Sequence, residues 1–196
     1  MTEKTVSFFI ANGAVNETER DIYEYGVSIA ISFTINALVT LSLGFIFSMP
    51  VEMLVFFVPF MFHRSLAGGY HANSFGGCVA VSAITISVAM LAINYLTNPI
   101  VVPLAVALTV VSLIATFALA PVQHINRVLT SDERIRFRKS SRIFMMIVFI
   151  AVTLLLILKF RTYALCVTMG VVLSTVTMVL GYILNLRKVA NLNENA

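Results

Sequence analysis

Two residues with the chemistry of a cysteine nucleophile and its base lie close together in the segment 63–78. This segment is polar and rich in glycine, and apolar runs flank it on both sides. It contains His71 and, seven residues later, Cys78. A cysteine attacks carbonyl groups as its thiolate, and an imidazole can take the thiol proton and then stabilise the thiolate as an imidazolium. The pair therefore predicts nucleophilic catalysis by a cysteine.

The spacing of the two residues sets a condition on the backbone. Residues seven apart in one continuous helix lie about 10 Å apart along the axis, which is too far for a hydrogen bond. We expect the chain to bend at Gly76-Gly77, because glycine has the widest conformational freedom. Cys78 would then begin the helix of the apolar run 79–96, where the partial positive charge of the helix N-terminus lowers the pKa of a thiol.

Two other interpretations of these residues stay open at this point. His71 could be an ordinary polar loop residue and Cys78 a small apolar residue at the membrane interface. A zinc site is the second alternative, because His63, His71 and Cys78 are ligand types that zinc accepts. No fourth ligand and no recognised metal spacing accompany them, so we expect no metal and no other cofactor.

The composition of the chain indicates a membrane protein. Of its 196 residues, 59% are hydrophobic and 11% are charged, whereas a soluble domain carries about 25% charged residues. A water-soluble fold of this size could not bury so much apolar surface, so the bilayer must be the solvent for most of it. We predict an all-α polytopic membrane fold that forms a single domain over residues 1–196.

The apolar runs predict about six transmembrane helices. The run 51–66 is the doubtful one, because it is short and contains Pro59. Residues 1–25 mix apolar and charged side chains, which predicts an amphipathic segment on the membrane surface or, alternatively, a frayed terminus. The other five predicted spans are 27–48, 79–96, 100–121, 143–158 and 163–186.

The basic residues predict the orientation of the chain in the membrane. The segments 63–78 and 122–142 and the tail after residue 186 hold nine of the thirteen Lys and Arg residues. Two spans separate each of these segments from the next, so all three share one side. The positive-inside rule makes that side cytoplasmic. We therefore predict a cytoplasmic catalytic segment at 63–78 and a basic cytoplasmic loop at 122–142.

Several of these residues match a known family. Arg64, the run Ala67-Gly68-Gly69-Tyr70-His71-Ala72 and the following Cys78 resemble the AgrB (accessory gene regulator B) family of membrane peptidases. Ala120-Pro121-Val122, which precedes the basic segment, is similar to a second segment of that family. The length of the chain and the position of the motif agree as well, although only the His-Cys segment is specific.

The resemblance implies a cysteine endopeptidase of the cell membrane that acts in quorum sensing. The catalytic cysteine of the family attacks a carbonyl of a small AgrD-like precursor peptide, releases its C-terminal tail and holds the rest as a thioester. A Cys or Ser within the precursor then closes a thiolactone or lactone ring. By this resemblance His71 and Cys78 are the catalytic residues, and the precursor is the partner.

Other residues around the pair receive weaker predictions. Backbone N–H groups of Gly68-Gly69 or Gly76-Gly77 could stabilise the oxyanion. Arg64 could bind either the substrate or lipid phosphates. Asn73 and Ser74 are candidates for a third catalytic residue. Three basic residues are predicted either to bind the acidic tail of the precursor or to hold lipid headgroups; they are Arg136, Arg138 and Lys139.

Two rival functions remain to be compared with the peptidase. A membrane exporter of the signalling peptide would place ionisable groups deep in its spans, but 27–48, 79–96 and 100–121 contain none. A structural or regulatory subunit would leave the His-Cys segment unexplained. Membrane lipids are expected partners, a homodimer is compatible with this interpretation, and no nucleic-acid partner is expected.

Overall fold

A computed structural model describes residues 2–13, 16–69, 75–95, 98–122 and 130–194. Over these residues the protein is built from α-helices, with a single 3-10 turn at Glu17–Glu19 and an isolated backbone bridge between two turns. The helices are α1 (Thr2–Ala11), α2 (Arg20–Ile46), α3 (Pro50–Ala67), α4 (Phe75–Tyr95), α5 (Asn98–Leu119), α6 (Ser131–Ile157) and α7 (Arg161–Glu194).

Four of these helices are long and apolar enough to cross a membrane. They are α3, α5 from Ile100, α6, and α7 as far as Arg187. Helices α2 and α4 contain shorter apolar stretches at Phe33–Ile46 and Ala83–Tyr95. The predicted all-helical membrane architecture is therefore confirmed, and the doubtful run 51–66 forms one of the long helices. The count of six spans stays a prediction.

Helix α6 begins earlier than the sequence analysis expected. Residues 122–142 were predicted as a loop, but the chain is helical from Ser131 onward. The physical reason is a capping box: Thr130 Oγ1 accepts from the Glu133 N–H, and the Thr130 N–H donates to Glu133 Oε2 at 3.0 Å. This pairing satisfies two backbone donors at the helix start. The basic residues from Arg134 to Arg142 therefore lie on a helix that continues without a break into the apolar span.

Helices α3, α5 and α7 run parallel to one another. Along α7, Gly170 approaches the backbone of Phe56 in α3 so closely that an added Cβ would clash with the Phe56 carbonyl oxygen. Further along both helices, Ser174 hydrogen bonds to His63. Small residues permit such close helix approach in membranes.

Helix α6 packs against this group in the opposite direction. Arg142, in the N-terminal half of α6, donates to the carbonyl of Phe117, near the C-terminal end of α5. The ends of α3 and α5 also lie together, since the Val122 N–H donates to the Ala67 carbonyl at 2.9 Å. One end of the bundle therefore collects the C-terminal ends of α3 and α5 and the basic end of α6. Only the five residues 70–74 separate this end from the start of α4.

Candidate active site

Two glycines form the turn that follows α3. Gly68 has a φ of 75° and Gly69 a φ of 153°, both in the region that glycine adopts far more easily than other residues. The Gly68 N–H donates to the Arg64 carbonyl at 3.1 Å and so caps α3. Of the two predicted oxyanion donors at this turn, Gly68 therefore uses its amide to end the helix, and Gly69 keeps the predicted role.

The turn is fixed to the end of α5 by backbone pairing. Gly68 and Val122 form an isolated parallel bridge, and the Val122 N–H donates to the Ala67 carbonyl. A Cβ added to Gly68 would clash with the Val122 carbonyl oxygen. The structure thus brings together the two segments that the sequence analysis singled out separately, Ala67-Gly68-Gly69 and Ala120-Pro121-Val122.

A small apolar cluster supports this backbone pairing from within the bundle. Ala67, Ala120, Val122 and Met178 are buried against one another, which adds helix α7 to the ends of α3 and α5. Helix α7 also borders the turn directly, because a Cβ added to Gly69 would lie 3.2 Å from Thr177 Oγ1. The turn therefore rests on three helices, and its backbone has little room to shift.

Cys78 lies in the first turn of α4, which begins at Phe75. The prediction that residue Cys78 lies at the start of a helix is confirmed, although α4 begins four residues earlier than the predicted span. The bend expected at Gly76-Gly77 is wrong, because both glycines are helical. Glycine weakens a helix by about 1 kcal/mol but does not forbid one. Helix α3 ends at Ala67 and the following Gly68 and Gly69 are not helical, so no continuous helix joins α3 to Cys78.

His71, with Asn73 and Ser74, falls outside the described residues, as does the side chain of Cys78. The contact between His71 and Cys78 therefore stays a prediction. What is described is the frame around them: the glycine turn on one side and the first turn of α4 on the other.

The predicted binding residues lie near the same end of the bundle. Arg64 is in the last turn of α3 and half-buried, with its guanidinium 6.0 Å from the centre of the Phe60 ring. Arg136, Arg138 and Lys139 are exposed on α6. Their neighbour Arg142 instead contacts α5. It donates to the Phe117 carbonyl at 2.9 Å, and its guanidinium lies 5.2 Å from the centre of the Phe117 ring.

His63 has a role that the sequence analysis missed. Both of its ring nitrogens hydrogen bond to hydroxyl groups at 2.9 Å, Nδ1 with Ser174 and Nε2 with Thr116. Neither nitrogen therefore faces a position where zinc could bind, and the zinc alternative loses this ligand. Among the described residues no group of three or more His, Cys, Asp and Glu could hold a metal. A signal was available in the sequence, since a histidine inside an apolar run needs a polar partner.

Comparison with known proteins identifies the family. The chain matches the family model for accessory gene regulator B, AgrB, over residues 2–178. It belongs to the AgrB family. Proteins of the AgrB family take part in processing the accessory gene regulator peptide and act with an AgrD precursor. The matched range includes both segments that meet at the glycine turn. No curated protein and no solved structure matches the chain.

Proposed function

We propose that this AgrB protein is a membrane cysteine endopeptidase that removes the C-terminal tail of an AgrD-like precursor and closes the remaining peptide into a thiolactone or lactone ring. Cys78 is the nucleophile and His71 its base. The observation that carries the proposal is the arrangement at one end of the bundle. There the glycine turn, held by Val122, leads within five residues to the helix start that bears Cys78.

The first half of the reaction transfers an acyl group to the enzyme. His71 takes the thiol proton of Cys78, and the thiolate attacks the precursor carbonyl carbon. The oxyanion that forms is stabilised by backbone N–H groups, with Gly69 as the candidate donor on this turn. The peptide C–N bond then breaks, and the imidazolium returns the proton to the leaving amine. The tail departs, and the rest of the precursor remains as a thioester on Cys78.

The second half releases a ring and restores the enzyme. A Cys or Ser side chain of the precursor loses its proton to His71 and attacks the thioester carbonyl. The bond to Cys78 breaks, and the departing thiolate recovers the proton. Water competes for the same thioester. A dry site at the membrane interface would slow hydrolysis of the thioester and so favour ring closure.

The exposed basic residues of α6 are the proposed docking surface for the acidic tail of the precursor. Arg136, Arg138 and Lys139 lie on the part of α6 that precedes Arg142, which contacts the end of α5. Opposite charges near a surface raise the encounter rate, and added salt reduces that gain. The competing explanation is that these residues only hold anionic lipid headgroups, at about 1 kcal/mol each.

Substitution of the nucleophile tests the peptidase proposal. Cys78→Ala and Cys78→Ser should each abolish precursor cleavage in a reconstituted assay while the protein stays in the membrane. Cys166→Ala is the matched control, because Cys166 is the buried cysteine of α7 and lies in the apolar core. Cleavage by Cys78→Ala at the rate of the control would show that the cysteine-peptidase proposal is wrong.

Charge removal at the two ends of the bundle tests the docking proposal. Arg136, Arg138 and Lys139 are replaced together by Gln, and cleavage is measured in detergent without anionic lipid. Docking predicts a weaker apparent affinity for the precursor and a smaller salt dependence than in the wild type. The control replaces Lys159 and Arg161, which lie at the opposite end of the bundle, and should leave both quantities unchanged. An unchanged salt response in the triple variant would rule out docking.

A further inference from the structure

A buried polar network joins three helices beneath the glycine turn. His63 of α3, Thr116 of α5 and Ser174 of α7 are all fully buried. The His63 ring hydrogen bonds to the hydroxyls of the other two residues, at 2.9 Å in each case. None of these residues enters the proposed reaction. A polar group is costly in an apolar interior unless it is paired, so the network needs a different explanation.

The direction of each hydrogen bond in this network can be assigned. Thr116 donates its single hydroxyl proton to the Ser112 carbonyl at 2.7 Å, so its oxygen must accept from His63. Nε2 of His63 therefore carries the proton, and Nδ1 accepts from the hydroxyl of Ser174. Each hydrogen bond is therefore donated in the same direction, from Ser174 in α7 to His63 in α3 and from His63 to Thr116 in α5. This order uses both ring nitrogens of a neutral histidine and leaves the ring one favourable orientation.

The network has a fixed relation to the turn above it. His63, Thr116 and Ser174 each lie four residues before a member of the small cluster that supports the turn, which is one helical turn away. Those members are Ala67, Ala120 and Met178. The three hydrogen-bonded residues thus stand one layer below the three residues on which the Gly68–Val122 bridge rests. An axial shift of α3 relative to α5 would break both the His63–Thr116 hydrogen bond and the Gly68–Val122 bridge, and a shift of α7 would break the hydrogen bond between Ser174 and His63.

We propose that His63 is a positioning residue that fixes the relative heights of α3, α5 and α7 and thereby the orientation of the turn that leads to His71 and Cys78. This inference rests on the proposed function. The hydrophobic effect does not select one axial register for helices in lipid, because lipid tails are as apolar as the side chains they replace. Directed hydrogen bonds do select a register, since they weaken steeply when distance and angle change.

The test uses the reactivity of Cys78, which depends on its geometry with His71. In a Cys166→Ala background, the rate constant of Cys78 alkylation by iodoacetamide is measured against pH, alongside cleavage of the precursor. His71→Ala marks the profile of a thiol without its base. His63→Leu should move the midpoint of the profile towards that of His71→Ala. It should also lower the cleavage rate by roughly 10-fold to 100-fold, the range expected when a reacting group is displaced by about 1 Å.

Two further variants keep the test decisive. His63→Gln retains a donor for Thr116. It should recover part of the wild-type midpoint of the alkylation profile and part of the wild-type cleavage rate. Ser174→Ala removes one hydrogen bond with a smaller change of volume. This variant replaces His63→Leu in the test if His63→Leu does not reach the membrane.

The matched control lies on the same two partner helices but further from the turn. The hydroxyls of Thr109 in α5 and Thr168 in α7 are 3.1 Å apart and buried. Replacing both with Val should leave the alkylation profile at the wild-type midpoint. A wild-type profile and wild-type cleavage in both His63→Leu and Ser174→Ala would overturn the positioning role while the peptidase proposal stands. Identical profiles for His71→Ala and the parent protein would instead overturn the catalytic pair, and the positioning role with it.

Discussion

Replacement of Gly68 by alanine is expected to damage both the fold and the activity. The residue has a φ of 75°, and the new Cβ would clash with the Val122 carbonyl oxygen. Its ψ is −165°, and this combination of angles costs a residue with a Cβ about 1–3 kcal/mol. Overpacking against a backbone atom that cannot move away adds roughly 1–3 kcal/mol. Gly68→Ala should therefore lower the free energy of unfolding by about 2–6 kcal/mol, or else separate the turn from α5.

Thermal unfolding in detergent and precursor cleavage together distinguish these effects. Gly26→Ala is the matched control, because Gly26 is helical in α2 and a Cβ there would meet no atom within 4 Å. Alanine is the better helix former by about 1 kcal/mol, so this control should be unchanged or slightly stabilised, with wild-type cleavage. If Gly68→Ala matches Gly26→Ala in both measurements, the inference that the turn needs glycine is refuted.

Three further predictions concern other parts of the chain. Thr130→Ala removes the cap of α6 and should cost about 1 kcal/mol, seen as faster amide hydrogen exchange in the first turn of that helix. Ser74→Cys and Ser131→Cys, each in a variant without the native cysteines, should stay unlabelled by an impermeant thiol reagent until cells are opened. Labelling of either residue in intact cells would contradict the proposed orientation of the chain. Cys166→Ala should destabilise the bundle by no more than about 1 kcal/mol with cleavage unchanged, and loss of cleavage would assign that thiol a function.

The candidate catalytic residues could be proposed from the sequence because each signal is local. A cysteine seven residues after a histidine in a glycine-rich segment is visible in the printed chain, and so is the concentration of basic residues in segments that lie on one side of the predicted spans. The positions of the helices followed from apolar runs. The starts of two helices differ from the prediction, since α4 includes two glycines and α6 begins at a capping box that precedes the apolar run.

The contacts between helices could not be predicted in the same way. In a soluble helix, a stripe of apolar residues marks the face that packs. In a membrane helix, the face towards lipid is also apolar, so the pattern does not say which residues meet. Nothing in the sequence therefore indicated that Ala67 would accept a hydrogen bond from Val122, or that His63 would lie between Thr116 and Ser174.

The boundary between charge and apolar surface inside α6 has a consequence for the surrounding bilayer. Fifteen residues of α6 follow Arg142 before the helix ends, and at 1.5 Å per residue they span about 22 Å. The hydrocarbon core of a typical bilayer is about 30 Å thick. Such hydrophobic mismatch is relieved by local thinning of the bilayer or by helix ends that lie below the headgroups. Arg142 hydrogen bonds to the end of α5, and the end of α5 is paired with the glycine turn. The turn therefore lies at about the same depth in the membrane as Arg142. The chain length of the surrounding lipids should therefore affect how the candidate site is positioned in the membrane.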